Sequence, residues 1–319
     1  MFNAKTLTEG QLVLNRRRFM GVAAALIAAG ALPKSALALA GPHRFTHGAF
    51  DLTVLSDGQL VLPLSIVSPE ATVDELKALM GAAVQPGDMF TSEINVVLAR
   101  TGSDLVLFDT GAAGAFGPTA GQLFESLKAA GVDPAVITKV IFTHAHPDHI
   151  LGAIGADGKP AFANASFHMA ENEFNFWSPA DLASQVPAAM KDMTLGIQAA
   201  LAVLGDRLVT FKAGAEVLPG IGVIETPGHT PGHVAFDLAG GDGLILAGDS
   251  IALESVFFKN PEWAFGFDYD GTMAGKSRRS LLDMAATGKK QMLGYHWTYP
   301  GLGRAEAKDG AFVYVPATL

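Results

Sequence analysis

The stretch "FTHAHPDHILG", residues 142–152, places three of the chain's nine histidines and an aspartate between His144 and His149. The apolar run Val140-Ile141-Phe142 leading into it reads as a buried strand. Strand ends hold functional groups on a rigid scaffold while leaving them accessible. His144 and His146 are two apart, so in an extended segment both imidazoles project to one side and can share a metal. Pro147 suits the first turn of a helix, which redirects Asp148 and His149. The pattern H-x-H-x-D-H therefore offers two adjacent ligand sets, and is hard to read as a solvated histidine-rich loop.

Two adjacent sets need further donors, and the downstream sequence holds candidates. His229 follows the strand-like "IGVIE" in "ETPGHTPGH", Asp249 follows an apolar run in "LILAGDS", and His296 does so in "QMLGYHWTYPG". Singly, each is an ordinary strand-end residue. Together they suit convergence at one edge of a sandwich. Cysteine is absent, which excludes disulfides, thiolate metal sites and a cysteine nucleophile, so any metal must take N and O ligands.

The chain has 319 residues, 49% of them hydrophobic, enough for a substantial core. Its formal charge of −9 disfavours a nucleic-acid partner, which needs a basic footprint. Residues 1–40 read as an address rather than as fold: "NRRRFM", a short apolar run, then small residues around Ala38 and Ala40. The paired arginines point to the twin-arginine route, hence to the periplasm or secretion, and the apolar run is too short for a stable membrane anchor after processing. Beyond the leader, 17 basic and 30 acidic residues leave a charge of −13.

Residues 41–319 read as one domain without repeats or linkers. Short apolar runs bounded by Gly, Asp and Asn predict strands, with hairpin turns at Thr101-Gly102-Ser103 and Gly240-Gly241. Helical spacing marks 73–80, 121–131, 171–177, part of 180–203, and 275–288. Strands come in runs with helices interspersed, so a simple parallel βαβ series fits poorly. An α+β chain with two packed sheets flanked by helices fits better.

The ordered set H-x-H-x-D-H, T-P-G-H, G-D and a final His resembles the metallo-β-lactamase-fold hydrolases from about residue 50 to the C-terminus. The ending "GYHWTYPGLG" and the motif intervals look most like the methyl parathion hydrolase group of exported dinuclear hydrolases. The resemblance implies a four-layer αββα sandwich and two divalent metal ions per chain. Zinc is the default, with manganese, iron or cobalt also suited to such ligands. It implies that His144, His146 and His229 hold one ion, that Asp148, His149 and His296 hold the other, and that Asp249 bridges them. It further implies that Asp109 and His233 support the ligands from behind. The reaction implied is attack by a metal-bridging hydroxide, with Asp148 orienting the nucleophile or accepting its proton.

Single residues weigh the branches of the superfamily. His146 stands where flavin-linked diiron members carry Glu, and Asp249 is a bridging carboxylate that class B β-lactamases lack. Acyl-homoserine lactonases carry Tyr three residues after that aspartate, where this chain has Ala252. A glyoxalase-II-like thioesterase would need basic residues for a charged moiety, and "GKSRR" (Gly275 to Arg279) reads as a solvated helix face instead. The expected substrate is a small neutral or apolar ester, lactone or phosphotriester. Leu62, Leu64, Phe116, Trp177, Phe257 and Phe258 are candidates for its pocket. A thioesterase and a catalytically silent envelope metal-binding protein are the alternatives. The resemblance and the apolar "LPLSIV" also favour a homodimer.

Overall fold

In the strand Asp104–Phe108, Leu105 and Leu107 share one face and Val106 and Phe108 the other, and all four are buried. A strand buried on both faces needs cover on both sides. The computed structural model, which describes residues 39–318, provides it as four layers. The first sheet contains β1 (His43–His47), β2 (Phe50–Pro63), β3 (Val84–Gln85), β4 (Met89–Thr101), β5 (Asp104–Phe108), β6 (Lys139–Ile141), β7 (Ser166–Ala170) and β8 (Leu208–Phe211). Their order is β1-β2-β4-β5-β6-β7-β8, with β3 added against β4. The second sheet contains β9 (Glu216–Leu218), β10 (Ile221–Glu225), β11 (Val234–Leu238), β12 (Leu244–Leu246), β13 (Gln291–Leu293), β14 (Leu302–Lys308) and β15 (Ala311–Pro316), ordered β15 to β9.

Between the sheets, Phe50, Leu52, Val54, Val106 and Phe108 meet Val223, Phe236, Leu238 and Leu246 in one buried cluster. Phe108 and Phe236 face each other across the interface at 5.3 Å. Each such ring, fully buried, contributes about 1.5–3 kcal/mol. The outer layers are helical. Helix α1 (Val73–Met80) opens with a capping box between Thr72 and Glu75. Along the first sheet follow α2 (Leu123–Ala130), α3 (Pro147–Ile150), α4 (Glu171–Trp177), α5 (Leu182–Gln185) and α6 (Lys191–Leu204). Leu123, Leu127, Ile197 and Leu201 share a buried cluster with Leu105, Leu107 and Phe167. Helices α7 (Glu254–Phe257) and α8 (Gly271–Thr287) lie between β12 and β13, and α8 packs on β14. The αββα sandwich expected from the sequence is the fold.

Two sequence expectations change. The strands β5-β6-β7-β8 are parallel neighbours, so part of the first sheet is a βαβ series after all. The crossovers hold α2 to α6, and their apolar residues pack on the outer sheet face. Helix α8 begins four residues before Gly275, where the Asp270 side chain accepts from the Met273 N–H. Both hairpin turns occur as expected: Thr101 pairs with Asp104, and Gly102, Gly240 and Gly241 all take positive φ. The leader reading falls almost wholly on residues 1–38, outside the described residues. No helix among the described residues is long and apolar enough to cross a membrane.

Candidate metal centre

The chemistry-bearing side chains sit where strands stop. His144 lies just beyond β6, His229 beyond β10, Asp249 beyond β12 and His296 beyond β13. Pro147 occupies the first turn of α3, and Asp148 and His149 project from that turn. Three sets of donor atoms lie within 4.8 Å of one another: His144, His146 and His229; Asp148, His149 and His296; and a linking set of His144, His149 and Asp249. Asp249 Oδ1 is 3.4 Å from His149 Nε2, and its Oδ2 is 3.3 Å from His229 Nε2 and 3.4 Å from His296 Nε2. One carboxylate thus reaches histidines of both outer sets. Asp148 Oδ2 lies 3.2 Å from His296 Nε2.

Ring orientations are fixed from behind. Asp109, at φ +59° directly after β5, turns its carboxylate toward the β6 end. There it accepts from the Thr143 N–H and hydroxyl, each at 2.8 Å, and from His149 Nδ1 at 2.9 Å. Because the Thr143 proton goes to Asp109, the Thr143 oxygen is left to accept from His144 Nδ1 at 3.0 Å. His229 Nδ1 donates to Asp268 at 3.0 Å, and His296 Nδ1 to the Glu93 carbonyl at 2.7 Å. With Nδ1 so occupied, each of these four imidazoles turns Nε2 toward the others, whereas His146 offers Nδ1, 2.9 Å from His229 Nε2. His233 joins none of the three sets: its Nε2 accepts from the Asp249 N–H at 3.0 Å. A Cβ at Gly248 would come 2.8 Å from that same Nε2, so only glycine lets the Asp249 loop approach.

The donor set fits cations. His144 Nε2, His149 Nε2 and Asp249 Oδ1 are buried without a hydrogen-bond partner, polar atoms that the interior leaves uncompensated. Protons take part of the load. Burial pulls the His229 imidazole down, but the hydrogen bonds it donates to Asp249 and Asp268 outweigh it and lift it to about 9. Burial likewise opposes the charge of Asp249 and the hydrogen bond of Asp148 at His296, which rises to about 10. His149 is raised well above the usual imidazole range by Asp249, Asp148 and Asp109 against its burial. His146, desolvated and beside His229, falls to about 3. Four buried carboxylates, Asp109, Asp148, Asp249 and Asp268, thus face three imidazoles that hold protons and one guanidinium, that of Arg278.

Arg278 corrects a sequence reading. "GKSRR" was expected on a solvated face, yet Arg278 is fully buried. It donates to the carbonyls of Ser250, Pro261 and Trp263, lies 3.3 Å from Asp268 Oδ2, and stacks over Phe257 at 4.2 Å. It sits three and four residues before the buried Leu281 and Leu282, on the same helix face, which is the signal that could have found it. Asp268 and Glu173 were also missed, since neither lies in a motif.

The expected pocket residues fare unequally. Trp177 stands beside the site, 6.0 Å from the His146 ring, and its Nε1 donates to Glu173. Leu62, Leu64, Phe257 and Phe258 belong to the buried core, and Phe116 packs against it. Phe258 meets Trp297 and Tyr314 there, and Phe257 meets Arg278. Their apolar surface is spent on packing. In "LPLSIV", Leu62, Leu64, Ile66 and Val67 are likewise buried within the chain, while Ser65 is exposed.

A fold of this kind with histidines and aspartates gathered at the strand ends defines a class of metal-dependent hydrolases. The model of the Metallo-beta-lactamase superfamily matches residues 91–290, and the chain belongs to that superfamily. Among solved structures it is similar to AidC, a dizinc quorum-quenching lactonase seen with a product, at 28% identity and a TM-score of 0.80, covering 88% of this chain and 99% of that one. The hydrolase AbOPH of the beta lactamase superfamily is similar at 28% identity and a TM-score of 0.81, with the same coverage. The uncharacterized protein YobT of Bacillus subtilis (strain 168) is 29% identical over 152 residues, 46% of this chain. The chain spans 62% of the length of that curated relative.

Proposed function

We propose that this chain is an exported hydrolase that binds two divalent cations and cleaves lactones, esters and phosphotriesters of small neutral or apolar compounds. The observation that carries it is Asp249, whose two oxygens lie within 3.4 Å of imidazoles from both outer donor sets. His144, His146 and His229 would hold one cation and Asp148, His149 and His296 the other, with Asp249 shared. Zinc is the default ion, manganese, iron and cobalt being compatible. Bound there, such cations supply Lewis acidity toward a carbonyl or phosphoryl oxygen and bring the pKa of water to about 7.

The chain's own residues do the remainder. Asp109, Asp268 and the Glu93 carbonyl hold the Nδ1 protons of His149, His229 and His296, which keeps those Nε2 lone pairs directed inward. Asp148 is kept ionised by His149 and His296 despite its burial, with Oδ2 3.2 Å from His296 Nε2, and would take up the proton released when water attacks. Trp177 gives the His146 side an apolar wall and helps to exclude water. The lactonase described for AidC supports the lactone reading, and the "GYHWTYPGLG" ending supports the likeness to the methyl parathion hydrolase group. Ala252, where dedicated acyl-homoserine lactonases carry Tyr, favours a broad range over a single lactone.

The test is purified mature chain, metals quantified, assayed on a p-nitrophenyl ester, a lactone, a thioester and a phosphotriester. Turnover of ester, lactone or phosphotriester with two ions bound is the expected result. Preference for the thioester would move the chain to the glyoxalase-like branch, and two ions with no turnover would make it a silent metal-binding protein.

A further inference from the structure

Glu173 lies in α4, outside every motif, yet it is fully buried and all its acceptor capacity is taken. Its Oε1 accepts from the Ala145 N–H at 2.9 Å and from Trp177 Nε1 at 2.8 Å. Its Oε2 accepts from the Thr230 hydroxyl at 2.6 Å and from the Gly232 N–H at 3.0 Å. Four donors on two oxygens match the four lone-pair positions of an ionised carboxylate. The donors are not scattered. Ala145 stands between His144 and His146, Thr230 follows His229, and Gly232 precedes His233.

From this bridge we infer that Glu173 is a further positioning residue of the His144, His146 and His229 set, acting on the backbone rather than on the rings that Thr143 and Asp268 orient: one carboxylate that ties the β6 loop to the β10 loop and sets the spacing of their imidazoles. The inference rests on the metal-hydrolase reading and deepens it. The other set has different supports: Asp109 for His149, the Glu93 carbonyl for His296, and the Tyr295 hydroxyl on the Asp148 carbonyl at 2.7 Å. None of these involves Glu173. The packing agrees, because a Cβ on Gly232 would run into the backbone of Glu173, so the His229 loop lies directly on α4. The fourth donor, the Trp177 indole, places the ring that flanks His146 under the same control.

A neutral amide cannot replace this group. Gln has only one acceptor oxygen, and its NH2 would face two donors. Removing such an outer partner costs about 10–100-fold in metal affinity. In E173Q, that loss should fall on one ion and spare the other.

The experiment titrates zinc-loaded wild type, E173Q and T230V with a graded chelator and reads bound zinc by elemental analysis, with circular dichroism as the check on folding. The expected result is two ions in wild type and selective weakening of one in E173Q by about 10–100-fold, with a smaller shift of the same ion in T230V, which loses a single donor. In an H146A background, where that set is already broken, adding E173Q should leave the remaining ion unchanged. Equal affinity for both ions in folded E173Q, or equal weakening of both, overturns the inference while the functional reading stands. If E173Q does not fold, an unchanged profile in T230V overturns it. Wild type that binds none of zinc, manganese, iron and cobalt defeats the functional reading itself, and the inference with it.

Discussion

Replacing Arg278 by Met separates charge from volume at the back of the site. The methionine can fill much of the space over Phe257, but it returns nothing to Asp268 or to the carbonyls of Ser250, Pro261 and Trp263. The charge balance decides the size of the effect. Breaking a buried ion pair from one side costs about 3–5 kcal/mol, because the surviving charge stays buried and alone. Against a typical stability of about 5–15 kcal/mol, about 4 kcal/mol is a large share. With a urea dependence of about 3 kcal/mol per molar, the midpoint should fall by more than about 1 M. Equilibrium urea unfolding followed by circular dichroism, with and without zinc, measures it. The paired variant R278M/D268N removes the orphaned charge and should recover at least about 1 kcal/mol relative to additivity. A midpoint within about 0.3 M of wild type in R278M, or strict additivity in the pair, would refute the claim that Arg278 serves chiefly to neutralise Asp268.

The remaining predictions concern the cluster itself. D109N puts an amide where His149 Nδ1 and Thr143 now donate, so zinc affinity should drop by about 10–100-fold, and an unchanged chelator titration would contradict the orientation given to His149. D249A should weaken both ions together, and loss of just one would show that the carboxylate is not shared. With His229 at about 9 and His296 at about 10, both hold protons at pH 7 and must release them to a metal. Affinity of the set that contains His229 should therefore climb about tenfold per pH unit from 7 toward 9, that of the set that contains His296 and the also-raised His149 more steeply, and calorimetry in buffers of different ionisation enthalpy should find at least two protons released per chain. Absence of proton release would overturn the protonation pattern. In the metal-free chain these two raised imidazoles stabilise the fold fully below about pH 6.5, and that contribution is lost as pH rises through about 9 and 10.

What the sequence disclosed was what is local. The H-x-H-x-D-H run carries its own geometry, an extended dipeptide step followed by a proline-started turn, and the structure repeats it at His144, His146 and Pro147. His229, Asp249 and His296 were legible because each stands where an apolar run stops. The supporting carboxylates were not, because a buried Glu173 or Asp268 differs from an exposed one only in its tertiary neighbours. The pocket candidates show the converse: Leu64 and Phe258 are apolar, and Phe258 is close in sequence to Asp249, but apolarity alone cannot tell a lining residue from a packed one. The parallel run β5-β6-β7-β8 was obscured by the long antiparallel β2 and β4, which dominate the strand pattern of that half.

The division of labour between the sheets has one more consequence. His144, His146, Asp148 and His149 come from the half that ends with β8, whereas His229, Asp249 and His296 come from the half that starts with β9. Neither fragment owns all the donors of any of the three sets, so a metal that takes such a set can be captured only once the two halves have docked. An ion held here would be a receipt for completed assembly.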